Sequence, residues 1–135
     1  MKIFYIFGGK LKKELTILGS TGSIGMNALS IPTIEEKFSM LAFVAGRDIN
    51  SLTRQSIKFK PKYAVISDNQ MYSELKNNLF GTGIEAKAGY DEINEIASIT
   101  SDVVLSAISG SAGIEPTYHT INKTPIFSLI IEFYL

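Results

Sequence analysis

The feature that most constrains this chain is Leu15-Thr16-Ile17-Leu18-Gly19-Ser20-Thr21-Gly22-Ser23-Ile24-Gly25. Leu15 to Leu18 is a short apolar run suited to a buried strand, and a glycine-punctuated turn follows at once. Beyond the turn Ile24, Ala28, Leu29 and Ile31 recur at helical spacing. Strand, glycine turn and helix in that order form the setting in which a glycine pattern predicts nucleotide binding. Gly19 is expected to permit the tight turn, Gly22 to let a pyrophosphate approach the backbone, and Gly25 to let the helix pack close. Ser20, Thr21 and Ser23 bring hydroxyl and N–H donors to a helix N-terminus, where an anion is favoured. The spacing is GxxGxxG rather than GxGxxG. A glycine turn of this kind can also be a plain connection; the flanking strand and helix favour the phosphate-binding reading.

A chain of 135 residues can bury a proper core, and 45% hydrophobic residues argue for a globular unit and against disorder. Thirteen basic and thirteen acidic residues cancel, so no basic field is available for nucleic acid or an anionic membrane. Cysteine is absent, which rules out disulfides, thiolate zinc sites and a cysteine nucleophile, and is compatible with a reducing cytoplasm. The apolar part of residues 1–13, Ile3 to Phe7, is too short for a signal-peptide core or a bilayer span. Residues 1–13 therefore read as an extension or an edge strand.

Further along, strands and helices alternate. Pro32 stops the first helix, and Thr33 to Ser39 reads as a polar connection. Met40 to Ala45 is a continuous apolar run, as in a parallel strand buried on both faces. A helix capped by Asn50 or Ser51 runs to about Lys60, with Leu52, Ile57 and Phe59 available to the core. Tyr63 to Ile66, Ile84 to Ala88 and Val103 to Ile108 read as strands. Helices follow Ser67-Asp68-Asn69, begin at Tyr90, and run from about Ile114 to Ile121. This alternation predicts an α/β fold, a doubly wound parallel sheet of the Rossmann-like kind in a single domain.

In such a sheet ligands lie beyond the carboxyl ends of the strands, at the switch point. Three loops qualify: Gly19 to Gly25, Gly46 to Asp48, and Ser109 to Gly113. An acid about 20 residues past the glycine turn suits the ribose of NAD, whereas an Arg suits the 2′-phosphate of NADP. Arg47 follows the strand-ending Gly46, and its planar fork can pair bidentately with phosphate. Asp48 beside it could instead accept from a ribose hydroxyl or help to cap the next helix. His119, the only histidine, reads as a surface residue, and Asp91, Glu92 and Glu95 as the exposed acids of their helix. Tyr90 and Tyr118 lack a lysine at the spacing of a Tyr-x-x-x-Lys dyad. No catalytic or metal-ligating constellation assembles.

Four motifs occur in order: Leu15 to Gly25; Ala42-Phe43-Val44-Ala45-Gly46-Arg47; Pro61-Lys62-Tyr63-Ala64-Val65; and Ala107-Ile108-Ser109-Gly110-Ser111-Ala112-Gly113. Together they resemble the N-terminal NADPH-binding domain of the 1-deoxy-D-xylulose-5-phosphate reductoisomerase family, from roughly Glu14 to Lys123. The resemblance implies an NADPH-dependent oxidoreductase of isoprenoid precursor synthesis, homodimeric and cytoplasmic. It would convert 1-deoxy-D-xylulose 5-phosphate to 2-C-methyl-D-erythritol 4-phosphate with Mg or Mn. It further implies that Thr21, Gly22, Ser23 and Ile24, beside the turn-forming Gly19, match the phosphate-loop contacts and that Gly46 and Arg47 receive the adenosine phosphate. Asp48 falls where the family commonly has Asn, replacing an amide donor with a charged acceptor.

After Lys123 the likeness stops. The family continues into a strand and an Ala-Asn-Lys-Glu-Ser segment, whereas residues 124–135 form an apolar tail. The tail is expected to be a sixth strand or an exposed edge, with Pro125 marking its start. The resemblance places the acidic metal ligands and the substrate pocket downstream of this point, so the chain reads as a member cut short and inactive alone. The competing function is a non-catalytic dinucleotide-binding module or remnant. Another GxxGxxG reductase, of the semialdehyde dehydrogenase kind, would need a cysteine nucleophile.

Overall fold

The computed structural model describes residues 12–121 and 126–129. Six strands form one sheet: β1 (Lys13–Leu18), β2 (Phe38–Ala45), β3 (Tyr63–Ile66), β4 (Glu85–Ala88), β5 (Val103–Ser106) and β6 (Ile126–Leu129). Their order is β4-β3-β2-β1-β5-β6, and every neighbouring pair is parallel. The helices are α1 (Ser23–Leu29), α2 (Ile34–Lys37), α3 (Ile49–Phe59), α4 (Tyr72–Asn78), α5 (Tyr90–Ser98) and α6 (Ile114–Ile121). The strand order reverses between β1 and β5, and this is the switch point of a doubly wound sheet. The expected α/β class holds. Most of the expected 1–13 extension lies outside the described residues, and Lys13 already opens β1.

Both faces of the central strands are covered, which is why Met40 to Ala45 of β2 reads as a continuous apolar run and Leu15 to Leu18 of β1 as a short one. Leu15, Ile17, Met40, Phe43, Ala64 and Ile66 pack on one face with Leu29, Leu52 and Leu75 from the helices. Leu18, Leu41, Val44, Val65 and Val104 pack on the other with Ile93, Ile96 and Ala97 of α5. Leu15 pairs with Met40 but Thr16 with Ala42, so Leu41 is the extra residue of a bulge. That slip explains why Leu41 and Ala42, adjacent in sequence, both join the second face.

Several local expectations are corrected. The connection from Thr33 contains the short helix α2, whose Ile34 is buried in the core. The cap of α3 is Asp48 rather than Asn50 or Ser51. Its carboxylate accepts the Ser51 N–H at 3.0 Å, the standard reach from an N-cap to the third helical residue. On α3 the buried stripe is Ile49, Leu52 and Ser56, and Ile57 is exposed. A spacing of three, then four, keeps to one helix face, and Ile57 falls off it. Phe59 packs edge-on to Phe43 with ring centroids 6.2 Å apart. Ile31 lies past the end of α1 and is exposed. β6 adds a sixth strand beyond β5, with Val103 opposite Ile126.

Candidate functional site

The glycine turn is held from three sides. The N–H groups of Gly19 and Ser20 both donate to the Val44 carbonyl, at 2.8 and 3.0 Å, tying the turn to the end of β2. The Ala107 N–H donates to the Leu18 carbonyl at 2.7 Å, tying it to β5. From α3, Gln55 Nε2 donates to the Ser20 carbonyl at 2.9 Å. Gly19 has φ +93°, and a Cβ there would lie 2.6 Å from the Ala107 carbonyl oxygen. A Cβ on Gly25 would strike the Gly19 carbonyl and stand 2.6 Å from Ser20 Cα, so α1 packs directly on the turn. Both glycines are required by the protein itself.

Gly22 is different. A Cβ there would meet nothing nearer than the Gly19 oxygen at 3.6 Å, an ordinary contact. Gly22 lines a cleft of about 220 Å³ at the switch point, with Gly19 and Thr21 from the turn. Val44, Ala45 and Gly46 contribute from the end of β2, and Ala107 to Ser109 from the end of β5. Ser23 and Ile24 open α1 and do not line the cleft. Ser20 is wholly buried and its hydroxyl has no partner, so it is not a donor to the cleft.

Arg47 and Asp48, adjacent in sequence, part company. Asp48 turns to α3 as its cap, and its carboxyl is held below the ordinary range, first by the Ser51 backbone N–H and then by the Ser51 hydroxyl. Arg47 remains 78% exposed, and its Nε lies 3.4 Å from Asp68 Oδ2. The other Asp68 oxygen accepts the Gln70 N–H at 2.9 Å, so the carboxylate facing Arg47 is anchored. Pairing through Nε leaves the two terminal amino groups directed along the other edge of the guanidinium fork.

Sequence reasoning missed Asp68, Ser67 and Tyr90. Ser67 and Tyr90 both line the cleft. Ser67 directly follows β3 and Tyr90 stands two residues past β4, so the rule that ligands gather at strand carboxyl ends carried the signal. His119 lies 4.0 Å from Glu115 and does not line the cleft. Among the described residues no group of three or more His, Cys, Asp or Glu side chains could hold a metal ion.

The family model for 1-deoxy-D-xylulose 5-phosphate reductoisomerase matches residues 15–129. The chain belongs to the 1-deoxy-D-xylulose 5-phosphate reductoisomerase family. The reductoisomerase of Proteus mirabilis is 45% identical over 115 residues, 82% of this chain and 29% of that relative. A solved reductoisomerase from Zymomonas mobilis, in complex with NADPH, superposes with a TM-score of 0.84 at 34% identity. The match covers 87% of this chain and 32% of the solved one. A second solved reductoisomerase, with NADPH, fosmidomycin and magnesium, gives a TM-score of 0.74 at 27% identity, over 84% of this chain and 29% of that one. The chain thus spans about 29% of the length of the Proteus mirabilis relative. The likeness was expected to stop after Lys123, but the family match runs on to residue 129, through β6.

Proposed function

We propose that this chain is the NADPH-binding portion of a reductoisomerase acting on 1-deoxy-D-xylulose 5-phosphate, a cytoplasmic enzyme of isoprenoid precursor synthesis. The observation that carries the reading is the contrast among the three glycines. Gly19 and Gly25 are demanded by packing, whereas Gly22 is not and faces the cleft. A bare backbone that the protein does not need for itself fits a pyrophosphate that must come close. Arg47 fits the 2′-phosphate, because its fork stands at the carboxyl end of β2 with Nε already engaged. Asp48 fits a ribose contact poorly, since its carboxylate is committed to Ser51. At about 220 Å³ the cleft is below the roughly 300–1,000 Å³ usual for ligand pockets, so a dinucleotide would lie partly across its open rim.

When bound, NADPH supplies the hydride; the residues of this chain bind and orient it. Thr21, Gly22, Ser23 and Ile24 make up the phosphate loop, and Gly46 and Arg47 receive the adenosine phosphate. Residues 14–123 carry this cofactor domain, to which the 124–135 tail adds β6. Homodimeric assembly belongs to the same proposal, as does Mg or Mn bound by groups other than the described residues. Fluorescence titration tests the core of it: NADPH binds more tightly than NADH, and Arg47→Ala weakens NADPH at least tenfold while leaving NADH within twofold. Equal affinities in the wild type would sink the assignment. A non-catalytic dinucleotide-binding module remains the second reading, favoured by the missing metal cluster among the described residues.

A further inference from the structure

Beyond the phosphate-binding groups, the cleft has one exposed aromatic side chain in its wall. Tyr90 is 57% exposed and lines the cleft together with Ile93, Val44 and Ala45. A large aromatic left half in solvent normally stays mobile, but the backbone beneath this one is held. The Gly89 N–H donates to the Ile66 carbonyl at 2.9 Å, and the Ile93 N–H closes the first turn of α5 on the Gly89 carbonyl at 3.1 Å. Gly89 has φ +99°, and a Cβ there would lie 2.6 Å from Asn69 Oδ1, so the approach to Tyr90 is tightly packed. The residue after Ile66 is Ser67, whose hydroxyl donates to the Gly46 carbonyl at 2.7 Å. One continuous path of short contacts therefore links Gly46 and Arg47 to Tyr90.

We infer that Tyr90 is the aromatic wall of the subsite for the cofactor's adenine. This rests on the proposed NADPH binding and adds a positioning residue to it. If the 2′-phosphate meets Arg47, the base on the same ribose must lie within one sugar of Gly46. The cleft surface there is apolar apart from Ser67, and among the described residues Tyr90 is its only aromatic ring. A planar heteroaromatic base finds a stacking face on the ring and an apolar floor in Val44 and Ile93. Stacking of a base on an aromatic side chain is insensitive to the ribose substituent, so Tyr90 should serve NADPH and NADH alike.

The test is fluorescence titration of the whole chain with NADPH and with NADH, in the wild type and in Tyr90→Phe, Tyr90→Leu and Tyr90→Ala. Tyr90→Ala should weaken both cofactors by the same factor, on the order of tenfold, without changing their ratio. Tyr90→Phe should stay within twofold of wild type, and Tyr90→Leu should fall between, because it keeps bulk without a π face. If Tyr90→Ala fails to fold, the Phe and Leu variants alone decide. Undiminished affinity in Tyr90→Ala overturns the inference, as does equality of the Phe and Leu variants. Loss in Tyr90→Phe as great as in Tyr90→Leu also overturns it, for it would assign the effect to the hydroxyl. A wild type that binds with an ordinary NADPH preference in any of these outcomes leaves the NADPH reading standing. A wild type that binds neither cofactor overturns both.

Discussion

Two glycines three residues apart should respond in opposite ways to the same methyl group. In Gly25→Ala the new Cβ meets the backbone of Gly19 and Ser20, with Ser20 Cα at 2.6 Å and its carbonyl carbon at 2.7 Å. These atoms belong to a turn held by Val44, Ala107 and Gln55, so they cannot swing aside as a side chain would. Overpacking costs about 1–3 kcal/mol, and a clash with braced backbone belongs at or above the top of that range. Alanine recovers about 1 kcal/mol of helix propensity. The net loss is roughly 2 kcal/mol or more, a fall in Tm of about 8 °C for a domain of this size. In Gly22→Ala the nearest atom is 3.6 Å away and φ is −75°, so only the weaker N-cap preference is lost, about 0.5–1 kcal/mol. Yet that methyl projects where a pyrophosphate would meet the backbone. Losing one or two charge-assisted hydrogen bonds weakens NADPH at least tenfold. Urea unfolding followed by circular dichroism, beside NADPH titration, separates the effects. A Gly25→Ala protein as stable as wild type would refute the packing argument. A Gly22→Ala protein that binds NADPH normally would refute the cradle.

Other outcomes follow from single contacts. Asp48→Ala should cost about 0.5–2 kcal/mol at pH 7 as the α3 cap is lost. Because the folded carboxyl titrates below the unfolded value, that contribution is fully present above about pH 4 and fades as pH falls through the folded pKa. The gap between wild type and Asp48→Ala in urea melts should therefore narrow below pH 4; a gap constant with pH would exclude the carboxylate as its source. Phe43→Ala removes a fully buried β2 ring packed edge-on to Phe59 of α3 and should cost about 3–5 kcal/mol; less than about 1 kcal/mol would mean the core collapses to fill the void. With no metal-binding cluster among the described residues, the chain given NADPH, Mg²⁺ or Mn²⁺ and 1-deoxy-D-xylulose 5-phosphate should show no substrate-dependent NADPH oxidation. A rate that saturates with that substrate and vanishes in Gly22→Val would contradict this.

Much of the fold was legible because its signals are local. The apolar runs within β1 and β2, Leu15 to Leu18 and Met40 to Ala45, announce strands covered on both faces, and β3 and α6 begin and end where the sequence places them. The glycine turn was readable for the same reason: strand, turn and helix are contiguous, and the steric demand on Gly25 is set by Gly19 and Ser20 within the motif, whereas that on Gly19 comes from Ala107 at the end of β5.

What the tertiary structure decided involves partners distant in sequence or a choice between equivalent local options. Asp48, Asn50 and Ser51 are all competent caps, and the helix begins at Ile49, which makes Asp48 the residue whose carboxylate reaches the Ser51 N–H. That selection turns Asp48 to Ser51 and leaves Arg47 to face Asp68, 21 positions away, through the side-by-side packing of β2 and β3. Tyr90 joins the cleft because Gly89 bonds to the end of β3, a contact that exists only once β4 has added to the sheet. Periodicity names the faces of an element; which residues of separate loops meet depends on strand order and twist, and those are settled by the packing of the whole core.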